Sequence, residues 1–210
     1  MTWWETRQWQ AYEDACGLTL RRTQELEGAS WDSQVVDLAY DESELWRGMR
    51  RSYHAIIHKA EGDFGLAWDL VSGGHTSACA LICMPLHDLK VGRSTRPLET
   101  WEMMDQWVRD GHGQVAYVTR HTTGMPLGYV YAIVHGNWAY YASGVTLEPN
   151  LAHALIWHVM LALKKRGVRW FEVGWLWRPG EDEKAKSIAF FKQGFGGAAV
   201  PAADAARLHA

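Results

Sequence analysis

Two neighbouring segments near the end of the chain decide the fold: Arg169-Trp170-Phe171-Glu172-Val173-Gly174-Trp175, and then Ser187-Ile188-Ala189-Phe190-Phe191-Lys192-Gln193-Gly194-Phe195-Gly196-Gly197. The first segment is largely apolar and predicts a buried strand. The second predicts a short amphipathic helix that runs into a glycine-rich turn. A strand ending near a glycine, followed by a cationic helix and an exposed backbone turn, often marks a ligand site.

The composition is that of an ordinary globular protein. Of the 210 residues, 48% are hydrophobic and 21% are charged, so the chain can bury a sizeable core. The formal net charge of −3 predicts no general attraction to nucleic acid or to a membrane surface. Because we find no internal repeat, low-complexity segment or linker, we expect one domain over residues 1–210.

The cysteines and the amino terminus indicate a reducing, cytoplasmic location. Cys79 and Cys83 are four residues apart in an apolar run, which predicts core thiols; no ligand cluster follows at metal-binding spacing, so we expect no metal. Residues 1–5 lack the pattern of a signal peptide, and no apolar run has the length of a membrane span. The 13 Trp residues suit a cleft or a subunit interface, which leaves a homodimer open.

The beginning of the chain predicts a mixture of helices and strands. We expect an aromatic extension with a short helix over residues 1–16. An edge strand is predicted over residues 18–26 and a better-defined strand over residues 34–38. A capping box that starts at Asp41 predicts a helix to about Ala60.

The next part of the chain holds a candidate anion site. We expect a strand over residues 64–71 and helices over 75–91 and 98–109. Arg93 and Arg96 lie between the two helices beside small hydroxyl residues, which suits an anion clamp. Solvation of the helix ends explains the two arginines equally well.

The second half of the chain becomes strand-rich. Three strands separated by short turns, which favour antiparallel pairing, are predicted over residues 114–120, 127–135 and 138–145. A long helix through Lys165 and the strand over 169–175 follow, so this last strand is either parallel to the strand over 138–145 or splayed from it. The order predicts an α+β fold, with a frayed tail over residues 198–210.

This order of elements resembles the GNAT acyltransferase fold, and the local motifs resemble its Fem-like branch, the peptidyltransferases related to peptidoglycan bridge formation. The matching segments, within residues 34–200, are Val36-Asp37-Leu38, Glu44-Leu45-Trp46, Gly92-Arg93-Ser94-Thr95-Arg96-Pro97, Ala139-Tyr140-Tyr141-Ala142-Ser143-Gly144, Phe171-Glu172-Val173-Gly174 and Ile188-Ala189-Phe190-Phe191-Lys192-Gln193-Gly194-Phe195-Gly196-Gly197. The last segment is the most specific. The resemblance implies a mixed, mostly antiparallel sheet flanked by helices, in a single-domain form, whereas Fem enzymes proper contain two such halves.

The acyl donor is indicated by a departure from the GNAT pattern. GNAT acetyltransferases cradle the CoA pyrophosphate in a glycine-rich turn at a helix N-terminus. The corresponding residues, 143–150, contain one glycine and an acid. The resemblance therefore implies an aminoacyl-tRNA donor, with acyl-CoA as the alternative and no tightly bound cofactor. A patch formed by Arg47, Arg50, Arg51, Arg93 and Arg96 would contact the tRNA acceptor end if the fold brings these residues together.

Two residues are the catalytic candidates. Acyl transfer to an amine requires a neutral amine, a stabilised oxyanion and aligned reactants, but no covalent nucleophile. Glu172, a carboxylate in an apolar strand, is the candidate general base; pointing out of an edge strand or pairing with Arg169 is the alternative. Tyr141 is the second candidate, although Tyr140 and Tyr141 point to opposite faces of their strand, so only one can face the site.

The candidates for substrate binding are Arg93, Arg96, Ser143, His153, Trp175, Lys192, Phe195 and Gly196. The resemblance implies that Lys192 and the turn after it lie near the substrate, with Lys192 contacting a phosphate or carboxylate; stabilising a helix C-terminus is the alternative. His153, near the start of the long helix, either contacts substrate or is packed or exposed.

Three functions remain open. The first is an aminoacyltransferase that joins an amino acid from charged tRNA to the amine of a small metabolite or peptide. The second is an acyl-CoA-dependent N-acyltransferase that acts on an amino sugar or a biosynthetic intermediate. The third is a non-catalytic GNAT-like binding module. We expect an enzyme, and the sequence does not identify its acceptor amine.

Overall fold

A computed structural model describes residues 32–74, 77–176, 180 and 182–201. The predicted extension over 1–16, the predicted edge strand over 18–26 and residues 202–210 of the predicted tail lie outside these residues. The beginning of that tail is different from the prediction, because Ala198–Pro201 form a strand that pairs with the first strand of the sheet.

The described residues form one seven-stranded sheet in the order β2-β3-β4-β5-β6-β1-β7. Its strands are β1 (Asp32–Asp37), β2 (Leu66–Val71), β3 (Gly113–Arg120), β4 (Pro126–His135), β5 (Trp138–Thr146), β6 (Trp170–Trp175) and β7 (Ala198–Pro201). Only β5 and β6 pair in parallel, and every other neighbouring pair is antiparallel. The predicted α+β fold with a mixed, mostly antiparallel sheet is confirmed.

Helices cover both faces of the sheet. They are α1 (Glu42–Gly48), α2 (Arg51–Glu61), a π-helix (Cys79–Cys83) that continues into α3 (Met84–Val91), α4 (Leu98–Arg109), α5 (Leu151–Lys165) and α6 (Glu183–Gln193). No helix within the described ranges has the length and apolar character needed to cross a membrane.

The helix predicted from Asp41 to about Ala60 is divided in two. The capping box is present, since Asp41 accepts from the backbone N–H of Glu44 and the Glu44 carboxylate accepts from that of Asp41. At Met49 the backbone is extended, and the next amide, of Arg50, donates to the carbonyl of Gly194, 2.8 Å away. A contact with a distant turn therefore replaces a helical hydrogen bond.

The sheet separates two hydrophobic cores. One face, here called the α5 face, packs against α1, α2 and α5 through residues such as Tyr53, Leu155 and Phe171. The other, the α4 face, packs against the π-helix, α3 and α4 through residues such as Trp101 and Tyr131. The face on which a strand residue lies therefore decides which helices it can contact.

The parallel strands β5 and β6 diverge, and the gap between them is here called the notch. Their register ends at Tyr140 and Glu172, while both strands continue. A bulge in β5 leaves Ala142 without a register partner on β4, and a second bulge in β6 leaves Val173 without one on β1. Gly174, which follows, has a φ of +109°, a conformation that favours glycine. Bulges bend their strands, which accounts for the divergence.

Candidate active site

Glu172 lies on the α4 face at the base of the notch. Its side chain is 0% exposed, and the Ser33 hydroxyl donates to its Oε1 over 2.6 Å. Arg169, the alternative partner considered from sequence, instead places Nη2 3.5 Å from a carboxylate oxygen of Asp37. β6 is also an interior strand of the sheet. Glu172 therefore neither points out of an edge strand nor pairs with Arg169, and its role as a general base stays a prediction.

Tyr140 and Tyr141 face opposite sides of the sheet, as the sequence predicts. Tyr140 is paired with Glu172 and packs on the α4 face. Tyr141, the predicted catalytic tyrosine, packs on the α5 face, where burial raises its pKa to about 12. Its hydroxyl lies beside Gly144, 2.7 Å from where a Cβ on that glycine would be. Tyr140 is thus the tyrosine beside Glu172, and strand alternation alone could not identify it.

Lys192 reaches the end of β6 beside the notch. Its Nζ donates to the carbonyl oxygen of Trp175, 2.8 Å away, so β6 and not its own helix receives the contact. A Cβ on Gly174 would lie 3.1 Å from Lys192 Nζ and 3.7 Å from the Tyr140 ring. The structure therefore brings together Lys192, Trp175, Tyr140 and Glu172 around the divergence of the two strands.

Arg96 and Ser143 also meet on the α4 face. Arg96 Nη1 donates to the Ser143 hydroxyl over 3.3 Å, and its guanidinium lies 5.0 Å from the Trp101 ring centroid. Ser143 belongs to the part of β5 beyond Tyr140 and is 7% exposed. Arg93 is exposed in the turn that precedes Arg96. Of the two arginines in the predicted clamp, Arg96 is the one that reaches the strand.

Two residues that the sequence did not single out, Tyr129 and His87, extend the hydrogen bonding from Ser143. The Tyr129 hydroxyl lies 2.8 Å from Ser143 Oγ, and His87 Nδ1 lies 3.0 Å from the Tyr129 hydroxyl. Burial raises the pKa of Tyr129; burial and the Arg96 charge lower the pKa of His87. His87 and Tyr129 are 42 positions apart in the chain. Because no local spacing links them, only the assembled sheet reveals this connection.

His153 is a packed residue on the α5 face. Its ring centroid lies 4.3 Å from that of Tyr53 and 5.1 Å from that of Phe191. Burial lowers its pKa. Phe195 is 1% exposed and belongs to the same aromatic cluster. His153 is thus packed and half-buried, and the Phe195 side chain contributes to the core; contact of either residue with substrate stays a prediction.

The glycines that follow α6 allow the backbone to approach other elements closely. A Cβ on Gly194 would lie 2.2 Å from the Tyr53 ring, one on Gly196 would lie 2.8 Å from the carbonyl oxygen of Gly48, and one on Gly197 would lie 2.0 Å from that of Val35. Packing against α2, the end of α1 and β1 thus accounts for this most specific motif. The predicted substrate contact of Gly196 stays a prediction.

The proposed arginine patch is not formed by this fold. Arg47 and Arg51 belong to α1 and α2, which pack on the α5 face, whereas Arg96 contacts the α4 face. Arg50 donates to the carbonyl of Phe190 on α6, and its guanidinium lies 3.6 Å from that residue's ring centroid. The five arginines are therefore distributed over two sides of the sheet.

The turn between β5 and α5 has an acid near the helix N-terminus. Gly144 lies within β5, and Asn150, the residue before α5, has a φ of 73° and makes no side-chain capping bond. The Glu148 carboxylate pairs with Arg120. These residues do not form a glycine-rich turn of backbone amides for a pyrophosphate.

Comparison with solved structures identifies the fold. The chain resembles the crystal structure of FemX with a TM-score of 0.67 and 13% identity, covering 81% of this chain and 59% of that one. It resembles L-PGS from Bacillus licheniformis with a TM-score of 0.56 and 12% identity, over 80% and 58% of the two chains. It also resembles the C-terminal domain of a putative lysylphosphatidylglycerol synthetase from Agrobacterium fabrum, with a TM-score of 0.55 and 14% identity. That match covers 85% of this chain and 62% of the other.

These similarities show that the chain shares the fold of FemX and of the lysylphosphatidylglycerol synthetase domain, as the resemblance to the Fem-like branch implies. No protein-family model and no curated protein matches the sequence. The chain spans about 60% of the length of the solved structures it matches.

Proposed function

We propose that the chain is an N-acyltransferase that forms an amide bond at the notch, with an aminoacyl-tRNA as acyl donor and the amine of a small metabolite or peptide as acceptor. The observation that carries the proposal is the divergence of β5 and β6 beside the buried Glu172. The Fem-like fold supports it, since the similar structures include FemX and a putative lysylphosphatidylglycerol synthetase.

Each requirement of acyl transfer has a candidate group at the notch. Glu172, oriented by Ser33, would accept a proton from the acceptor amine. The bulged strand β5 has no register partner on its β6 side beyond Tyr140, and Ala142 has none on β4. Its backbone amides are therefore candidates for holding the acyl carbonyl, whose oxygen gains negative charge during the reaction. Lys192, at the end of β6, would bind an anionic part of the donor or acceptor.

The choice of a charged tRNA as donor rests on the β5–α5 turn. The residues before α5 offer no glycine-rich run of backbone amides to a CoA pyrophosphate, and Glu148 there pairs with Arg120. The net charge of −3 and the separation of the arginines argue against broad contact with a tRNA, so the proposal requires contact with its acceptor end alone. Acyl-CoA is the second donor to be tested.

The decisive experiment incubates the protein with labelled acetyl-CoA or with a charged-tRNA pool, together with a panel of amines. Transfer that requires charged tRNA and is abolished by RNase supports the proposal. Transfer from acetyl-CoA that survives RNase would replace the donor with CoA, and transfer from neither would favour a binding module.

The role of Glu172 is tested by Glu172→Gln, which keeps the size of the side chain and removes its basicity. We expect kcat to fall by about 10²–10⁴-fold with little change in KM, the range typical of a lost general base. Glu102→Gln, which changes an exposed carboxylate on α4, is the matched control. An unchanged kcat in Glu172→Gln would remove Glu172 as the base.

A further inference from the structure

Four side chains on the α4 face form a continuous hydrogen-bonded chain, here called the relay. Arg96 Nη1 lies 3.3 Å from Ser143 Oγ, Ser143 Oγ lies 2.8 Å from the Tyr129 hydroxyl, and that hydroxyl lies 3.0 Å from His87 Nδ1. The relay joins the loop before α4, two strands and α3. It begins at the notch and ends at a half-buried imidazole.

The hydrogen bonds of the relay have a preferred direction because a guanidinium only donates. Arg96 therefore donates to Ser143. If His87 Nδ1 accepts, Ser143 donates to Tyr129, Tyr129 donates to His87, and every hydroxyl proton is used. If His87 Nδ1 donates, either Ser143 accepts from both Tyr129 and Arg96 or Tyr129 accepts from both His87 and Ser143, and in each case one hydroxyl proton is left outside the relay. Since Ser143 is 7% exposed, the first arrangement is favoured without substrate.

Buried aromatic rings surround the middle of the relay. Tyr129 and Trp101 are both 0% exposed, and the Trp101 ring centroid lies 6.3 Å from that of Tyr129 and 5.6 Å from that of His87. The charged groups that act on His87 are Arg96 and Asp88. Burial and Arg96 lower the pKa of His87 and outweigh Asp88, which favours the neutral imidazole, whose Nδ1 lone pair can accept the Tyr129 hydrogen bond.

We propose that the relay carries a proton from the acceptor amine at Ser143 to Nδ1 of His87. This inference rests on the proposed acyltransferase function and adds a second proton acceptor to it. An ammonium acceptor loses two protons, one before and one after it attacks the acyl carbon. Glu172 takes one of them, and the relay takes the other.

The step balances without another reactant. The amine N–H bond breaks, and its electron pair stays on the nitrogen, which is bonded to the acyl carbon. The proton binds Ser143 Oγ while the Ser143 proton moves to Tyr129 and the Tyr129 proton moves to His87, which becomes an imidazolium. Ser143 is the group that touches substrate, and His87 acts through the two hydroxyls as a positioning residue.

The direction of the relay can be measured without any enzyme assay. Nitrogen-15 NMR of the imidazole side chains at pH 7.5 reports which ring nitrogen of His87 carries the proton, with the resonance assigned by its loss in His87→Asn. We expect Nε2 to be protonated and Nδ1 to be an acceptor. A protonated Nδ1 would overturn the proposed direction. Because this result does not depend on turnover, it remains informative if the acyltransferase assignment fails.

Proton transfer is tested separately by His87→Asn, whose side-chain oxygen can accept the Tyr129 hydrogen bond but cannot take its proton. We expect kcat to fall by about 100-fold, within the range for general acid–base groups, with KM and thermal stability nearly unchanged. The inflection of kcat/KM that follows His87 ionisation should disappear. Tyr129→Phe should give the same kinetic result, and His121→Asn, at an exposed histidine, is the control. A wild-type kcat and pH profile in His87→Asn would show that the hydrogen bonds are purely structural.

Discussion

The substitution Gly197→Ala tests whether the glycine-rich turn is a packing motif or a ligand loop. Gly197 has a φ of +76°, and a Cβ there would lie 2.0 Å from the Val35 carbonyl oxygen and 2.8 Å from the Val36 Cα. Real Cβ atoms essentially never approach within 3.0 Å of other heavy atoms. The turn would therefore have to move away from β1, and Ala198, which pairs with Val35 at the start of β7, would move with it.

The magnitude follows from a comparison with Gly92→Ala. Gly92 has a φ of +79°, but nothing lies within 4 Å of a Cβ placed there, so this control isolates the backbone penalty of about 1–2 kcal/mol. Gly197→Ala carries the same penalty and also the overpacking, which costs about 1–3 kcal/mol more. For a chain of this length, each kcal/mol of lost stability lowers the thermal midpoint by about 2–4 °C. The midpoint of Gly197→Ala should therefore lie about 2–12 °C below that of Gly92→Ala.

Thermal and urea unfolding of the wild type and both variants would measure this difference. Equal losses of stability in the two variants would refute the packing explanation. If Gly197→Ala instead raised KM while its unfolding midpoint matched that of Gly92→Ala, the turn would be a ligand loop, as the resemblance implied.

Two further predictions concern aromatic residues. Tyr140→Phe should change kcat or KM, because Tyr140 lies beside Glu172. Tyr141→Phe should leave both constants within about twofold of wild type, because Tyr141 lies on the opposite face of the sheet. A kinetic defect confined to Tyr141→Phe would contradict the placement of the site. His153→Phe should make folding less sensitive to acid. Burial lowers the pKa of His153 in the folded protein from its ordinary value of 6.5, so below that pH the unfolded chain binds more protons than the folded one. The wild type therefore loses stability as the pH falls through the unfolded pKa. Urea unfolding at pH 7.5 and pH 5.5 should therefore show a smaller loss in the variant, and an equal loss would exclude His153 as a contributor.

Much of the fold was predictable because its signals are local. The capping box at Asp41, the apolar strand over Trp170–Trp175 and the short turns between β3, β4 and β5 each depend on neighbouring residues. The break of the first helix was not predictable. It depends on a hydrogen bond from Arg50 to the carbonyl of Gly194, a residue far away in the chain.

The candidate site was predicted in part. Glu172, Ser143, Arg96, Trp175 and Lys192 were named from their segments, and the structure places them along the α4 face and the notch. The position of Tyr141, the packed state of His153 and the separation of the arginines required the assembled sheet. Alternation shows that neighbouring residues point to opposite faces, but the face that carries the site is decided by which helices pack on it.

The sequence by itself determined the order and character of the elements and placed the Glu172 carboxylate within an apolar strand. It also supplied the glycines of a turn that can lie so close to β1 only because they lack a Cβ. The tertiary structure decided where β5 and β6 part, which tyrosine stands beside Glu172, and that Ser143 connects to His87. The physical reason is the range of the interactions: capping and side-chain alternation act over a few residues, whereas register, bulges and hydrogen bonds such as that between His87 and Tyr129 join segments that only folding brings together.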